Sequence, residues 1–205
     1  MKKLVIVMVL IGAVGLCTGS NATRPGADEK AAPDFRKAAW GMTVDEVKAT
    51  ETGKPDQESD IQGEHLLDYD REVGGFSHTT VFYIFAQNKL ARAKYIFNEE
   101  HSDDADYISD FQSVEKLLEE RYGPPSSHNK IWKSDDDQDE FSGHEGLAVA
   151  TGALSFYTEW DTSASAIIEA LDGDNYSVDF QVEYDSVLLK AMDEAAVKKA
   201  KANQF

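Results

Sequence analysis

Cysteine is almost missing from this chain: Cys17 is the only one in 205 residues. No internal disulfide can staple the fold, and Cys-x-x-Cys metal sites and a Cys–His nucleophile pair are excluded. Long apolar runs are also scarce. The longest, Leu4 to Leu16, falls short of the ~20 residues needed to cross a ~30 Å hydrocarbon core, so no membrane span is expected in the mature chain. Basic residues are the third shortage, with 20 Lys and Arg against 38 Asp and Glu and a net charge of −18. Binding to phosphates needs clustered cations that displace counterions. The only such cluster is Lys198, Lys199 and Lys201 at the C-terminus, which argues against nucleic acid as a partner and leaves attraction for cations or a basic protein.

What is present at the start has the order of an export signal: Met1-Lys2-Lys3, the apolar run, then Cys17-Thr18-Gly19-Ser20-Asn21-Ala22. Residues 1–22 are therefore expected to be a signal peptide, and its loss takes Lys2 and Lys3 and moves the net charge from −18 to −20. Two exits compete. Ser20 and Ala22 offer small side chains at −3 and −1 for cleavage after Ala22, while Cys17 stands where a lipidated cysteine stands, with Val14 and Gly15 fitting before it and Leu16 too bulky at −1. The expected location is periplasmic or attached to the outer membrane through a lipid anchor. Residues 23–33, with two prolines, a glycine and no apolar period, read as a flexible tether.

From residue 34 to 205 the chain reads as a single globular α+β unit. Thr43 and Glu46 have capping-box spacing ahead of a short helix over about 44–51 that Gly53 and Pro55 end. Residues 65–71 form a strand, and 79–97 a β-hairpin turning at 86–89. Tyr107, Phe111, Val114, Leu117, Leu118 and Tyr122 recur at spacings of three or four, one apolar helix face. Three strands follow at 153–160, 165–171 and 176–184; in the last, Val178, Phe180, Val182 and Tyr184 alternate with polar residues, the mark of an antiparallel sheet with one wet face. Asp172-Gly173-Asp174-Asn175 has turn chemistry, and Ser186 caps a last helix over 187–201.

One internal echo stands out. Val44, Val47, Gly53 and Pro55 are matched 70 positions on by Val114, Leu117, Gly123 and Pro125. Read as a repeat, it divides the fold into two similar helix-plus-sheet halves, 34–100 and 101–205; read as chance, it reflects only the common order helix, stop, strand.

The stretch Trp40-Gly41-Met42-Thr43-x-x-Glu46-Val47, followed by Gly53-Lys54-Pro55, resembles the helix entry of SmpA/OmlA (BamE) outer-membrane lipoproteins, of β-lactamase-inhibitor-protein-like domains, and of uncharacterised bacterial envelope proteins that open with a Trp-Gly-Met-Ser/Thr motif. The resemblance covers residues 40–55. It implies helices packed on an antiparallel sheet, used for contact with an envelope protein partner rather than for catalysis. The chain departs from the BamE pattern in Thr52-Gly53, in its imperfect lipobox and in its length.

No motif for catalysis appears: no His-Glu-x-x-His, no Gly-x-Ser-x-Gly and no phosphate-cradling loop. No cofactor is called for. His144-Glu145 is the best acid–base pair available, and Glu159, Asp161 and Glu183 are the carboxylates a small hydrolase or carbohydrate-acting enzyme would draw on. Asp135, Asp137 and Asp139 alternate as at the start of a calcium loop, but Glu140 and Gly146 stand where an EF-hand needs Gly and Glu, so a solvated acidic loop competes with calcium binding. Among the aromatics, Tyr83, Phe85 and Tyr95 of the hairpin are candidates for an interaction surface. Alternation requires that if Phe82 and Ile84 face inward, these point outward or lie under a second layer.

Overall fold

Thr43 opens the first regular element with both halves of the capping box: its hydroxyl accepts from the Glu46 amide, and the Glu46 carboxylate accepts from the Thr43 amide. In the computed structural model, which describes residues 33–202, helix α1 then runs Val44–Thr50. The signal segment 1–22 with Cys17 and Ala22, the tether up to residue 32 and the last three residues lie outside the described residues. Ahead of α1, the Trp40-Gly41-Met42 stretch is tied down by its backbone: the Gly41 amide donates to the Leu90 carbonyl at 2.9 Å and the Leu90 amide to the Met42 carbonyl at 2.8 Å. The Trp40 indole donates to Ser165 Oγ at 2.9 Å, 125 positions away in sequence.

The remaining elements follow in the order β1 (Gln57–Ile61), β2 (Glu64–Val73), β3 (Phe76–Ala86), β4 (Lys89–Phe97), α2 (Ala105–Tyr122), β5 (Ser127–Trp132), α3 (Asp135–Glu140), α4 (Glu145–Thr151), β6 (Leu154–Asp161), β7 (Ser165–Asp174), β8 (Ser177–Ser186) and α5 (Lys190–Ala202). All eight strands join one antiparallel sheet in the order β1-β2-β3-β4-β8-β7-β6-β5. The architecture is mixed α+β and mostly sheet.

Tight turns set the register. Gln87 and Asn88 between β3 and β4, and Asn175 and Tyr176 between β7 and β8, all have positive φ, the geometry of a two-residue type I′ turn that matches strand twist. The second turn therefore lies at 175–176, beyond the expected 172–175, and β7 extends to Asp174. In β6 and β8 alternation is clean, and in β7 it is interrupted only by the buried Ala170: Phe156, Trp160, Ile167, Leu171, Phe180, Val182 and Tyr184 are buried. These share one core cluster with Val47 of α1, with Phe111, Val114 and Leu118 of α2, and with Ala148 and Val149 of α4. Phe111 holds its ring 5.7 Å from Phe156 and 6.0 Å from Phe180. Leu117 belongs to the same periodic set but lies 46% exposed at the edge of the helix stripe.

Four elements differ from expectation. β1 and β5 are edge strands with little apolar alternation, and α4 is a seven-residue helix where only a turn was expected. The acidic run 135–140 is helix α3, because Ser134 caps it, accepting from the Asp137 amide, and three aspartates in its first turn suit the positive end of the helix dipole.

Candidate interaction surface

Side-chain alternation gives the sheet a core face and an outer face. On β3, Thr79, Val81, Tyr83 and Phe85 point to the core, which overturns the idea of Tyr83 and Phe85 as a surface. The Tyr83 hydroxyl donates to the Glu51 carboxylate, and the Phe35 ring packs 5.4 Å from Tyr83, 4.8 Å from Tyr95 and 5.0 Å from Tyr184. Tyr95 is half-buried against the same core, and that burial pushes its hydroxyl up to about 12. The aromatic residue of the hairpin that does face outward is Phe82, half-buried.

Strand pairing arranges the outer face in rows. One row runs Asp68, Phe82, Lys94, Glu183, Ile168, Glu159 from β2 to β6, and the next runs Asp70, Thr80, Ile96, Gln181, Ala170, Tyr157. Phe82, Ile96, Ile168 and Tyr157 are half-buried apolar and aromatic residues distributed along these rows, with Lys94, Glu183 and Gln181 between them. Carboxylates border these rows. Asp68 and Asp70 stand on β2, while Asp172 of β7 and Asp179 of β8 are direct partners across the ladder. The carboxyls of Asp68, Asp172 and Asp179 are held above the ordinary range, first by partial burial and then by neighbouring carboxylates. Tyr157 donates to Asp172 at 3.2 Å, and none of these aspartates takes part in an ion pair among the described residues. Like charges directly opposite on adjacent strands are destabilising.

Between Phe82 and Ile168 in the first row, and beside it, the outer face carries a dense ionic cluster. Arg92 of β4 contacts Glu64 of β2, lies 2.9 Å from Glu183 of β8 and places its Nε 2.8 Å from Asp193 of α5; Lys94 lies 2.9 Å from Glu183. Burial works against the Arg92 charge, yet Glu183, Asp193 and Glu64 outweigh it and raise its pKa. Burial likewise opposes ionisation of Glu183, and Lys94 with Arg92 overcomes it, holding that carboxyl below its usual range. Glu183 and Glu159 share a row two strand spacings apart, about 10 Å, but the Glu183 oxygens are taken by Arg92 and Lys94. Asp161 is exposed at the end of β6. These three do not assemble a catalytic pair.

The core face holds one carboxyl that sequence reasoning did not single out. Glu169 of β7 has no exposed surface, and neither of its oxygens has a hydrogen-bond partner. Burial pushes its acid up to about 9, with Glu115 of α2 adding to the effect. Above it, Thr158 Oγ donates to Glu115 at 2.8 Å, and His128 Nδ1 lies against the same Glu115 oxygen. A signal did exist: in Ser165-Ala-Ile-Ile-Glu-Ala-Leu171, Glu169 falls on the phase of Ile167 and Leu171.

The other candidates have structural partners. His144 is the N-cap residue of α4, and Glu145 pairs with Lys130, so the two form no acid–base pair. Asp135 and Asp139 lie one turn apart on α3, while Asp137 is turned away and bonded to Ser134. Among the described residues no three His, Cys, Asp or Glu side chains converge as metal ligands, and no helix is long and apolar enough to cross a membrane. Comparison of the chain with protein-family models, with curated proteins and with solved structures finds no match.

Proposed function

We propose that this chain is an exported, non-catalytic interaction module of the bacterial cell envelope that receives a lysine- or arginine-bearing protein on the outer face of its sheet. The observation that carries the reading is the direct opposition of Asp172 and Asp179, which take part in no ion pair among the described residues, on an outer face that also carries the half-buried Phe82, Ile96, Ile168 and Tyr157. Half-buried apolar and aromatic residues interspersed with charged groups suit a polar protein interface. The net charge of −18 favours encounter with a cationic surface. Export and envelope location rest on the leader and on the Trp40-Gly41-Met42-Thr43 resemblance.

The same proposal includes two similar halves. The 70-residue echo covers the starts of β1 at Gln57 and β5 at Ser127, after which α3 and α4 intervene. Beyond them the offset becomes 88: the turn Gln87–Asn88 corresponds to Asn175–Tyr176. That offset carries the β4–β8 ladder onto itself, taking Arg92 to Phe180 and Phe97 to Asp185, which are partners of each other's originals.

The test is affinity capture of the tagged chain from cross-linked cells, comparing the native protein with an Asp172→Lys, Asp179→Lys double variant. A captured envelope protein that is lost with the variant, and whose purified form binds less tightly as salt rises, is the expected result. A capture profile identical for the two proteins refutes the assigned face.

A further inference from the structure

The sheet ends in two unlike edges. β1 closes one side, and Glu58 and Asp60 set carboxylates along it, which ward off a further strand in a chain of net charge −18. β5 closes the other side without such a guard. From Ser127 to Lys133 it holds two lysines and no acid. On its outer face Ile131, opposite Ser155 of β6, is 52% exposed.

Pairing with β6 decides which backbone groups of this edge are spent. The Lys133 amide donates to the Ala153 carbonyl at 2.9 Å, and the two stand opposite each other in the register that sets Trp132 against Leu154. In an antiparallel ladder, opposite residues that exchange hydrogen bonds alternate with residues that do not. Ser127, Asn129 and Ile131 therefore bond to β6. His128, Lys130 and Trp132 turn their N–H and C=O groups the other way, where no strand stands among the described residues. Such a row is a template for another strand.

We propose that β5 pairs antiparallel with β5 of a second copy of this chain, about a two-fold axis at Ile131, so that two eight-stranded sheets become one. Each Ile131 then meets its mate in a non-hydrogen-bonded pair, where side chains come closest, and its exposed surface is covered. Lys130 and Trp132 of the second copy stand opposite each other and exchange the unspent backbone bonds. Within one chain Lys130 Nζ already lies 5.6 Å from the centre of the Trp132 ring, and the axis repeats that cation–aromatic pairing between copies. An axis at Lys130 would instead oppose two lysines, and one at Asn129 would leave Ile131 against Ser127. The direction of pairing follows from α3, acidic at five of its six positions and starting just after β5. Antiparallel strands hold the two acidic helices at opposite ends of the ribbon, whereas parallel strands would set them side by side. The pairing stands apart from the outer-face reading above.

Sedimentation equilibrium of the purified chain is expected to show reversible monomer–dimer exchange. Lys130→Pro removes an N–H that serves only the new ladder and keeps the bonds to β6; it is expected to weaken the dimer about 30-fold, one hydrogen bond being lost from each copy. Lys130→Ala keeps that N–H and is expected to weaken it by about threefold at most. In a Cys17→Ser chain, Ile131→Cys is expected to give a disulfide-linked dimer on mild oxidation, its Cα lying about 4.5 Å from its mate. Asn129→Cys is expected to give none, because its mate stands about 13 Å along the strand. A chain that stays monomeric at its solubility limit overturns the pairing, and β5 amides protected from hydrogen exchange only in cell extract would assign the edge to a foreign strand. A dimer as tight with Lys130→Pro as without it, or Asn129→Cys cross-linking as readily as Ile131→Cys, overturns it as well.

Discussion

The two faces of the sheet bury carboxyl groups in opposite ways. On the outer face, Glu64, Glu183, Asp185 and Asp193 gather around Arg92 and Lys94. On the core face, Glu169 sits among Ile167, Leu171, Thr158 and Val182 with no cation and no donor. In the first case Arg92 and Lys94 offset part of the carboxylate charge, while burial still raises Asp185 and Asp193; in the second the proton itself removes the charge, and Glu169 behaves as a neutral residue at ordinary pH. A negative chain therefore gathers some of its few cations where several carboxylates meet, and leaves an isolated acid to solve its own desolvation.

Breaking the outer cluster has the largest expected effect. Arg92→Met leaves Glu64, Glu183 and Asp193 buried against one another, and urea unfolding is expected to show a loss of about 3–5 kcal/mol. On the core face the expected sign is reversed: Glu169→Leu removes an unpartnered buried carboxyl and is expected to gain about 1–3 kcal/mol near neutral pH.

The pH dependence sharpens the same contrast. Because the Glu169 acid is raised from 4.5 to about 9 in the folded state, the folded chain holds a proton that the unfolded chain releases. Its stabilising contribution is complete below pH 4.5 and declines up to about 9, by roughly 1 kcal/mol per pH unit. Glu169→Gln should flatten the stability curve over that window by this slope, measured as the difference between native and variant unfolding free energies. The smallest effect belongs to the outer rim: Asp172→Asn relieves the opposed pair with Asp179 and should raise stability by about 0.2–1 kcal/mol, with the gain shrinking in high salt.

Much of the strand and helix content was readable because apolar period and turn chemistry agreed. The β8 alternation, the Phe111–Val114–Leu118 face and the Thr43–Glu46 capping box are local signals, and the structure bears them out. The edge strands β1 and β5 carried no such signal, since their side chains are mostly exposed and the partner strand supplies their order. The inward face of the hairpin is hidden from the sequence for a related reason. Periodicity separates the two faces of the Val81–Phe85 strand but does not say which one meets the core; Phe35, Tyr184 and Glu51, distant in sequence, decide it. The Arg92 cluster draws on β2, β4, β8 and α5, so no window of sequence contains it.

The two-residue turns at Gln87–Asn88 and Asn175–Tyr176 limit how such a chain can change length. One residue inserted in either turn would shift the following strand by a step and exchange its buried and wet sides, bringing Lys94 or Glu183 into the core in place of Tyr95 or Val182. The connection between β5 and β6 is under no such constraint and already carries α3 and α4. Over evolutionary time, growth of this protein is expected to concentrate there, while the hairpin loops keep their length even as their residues drift.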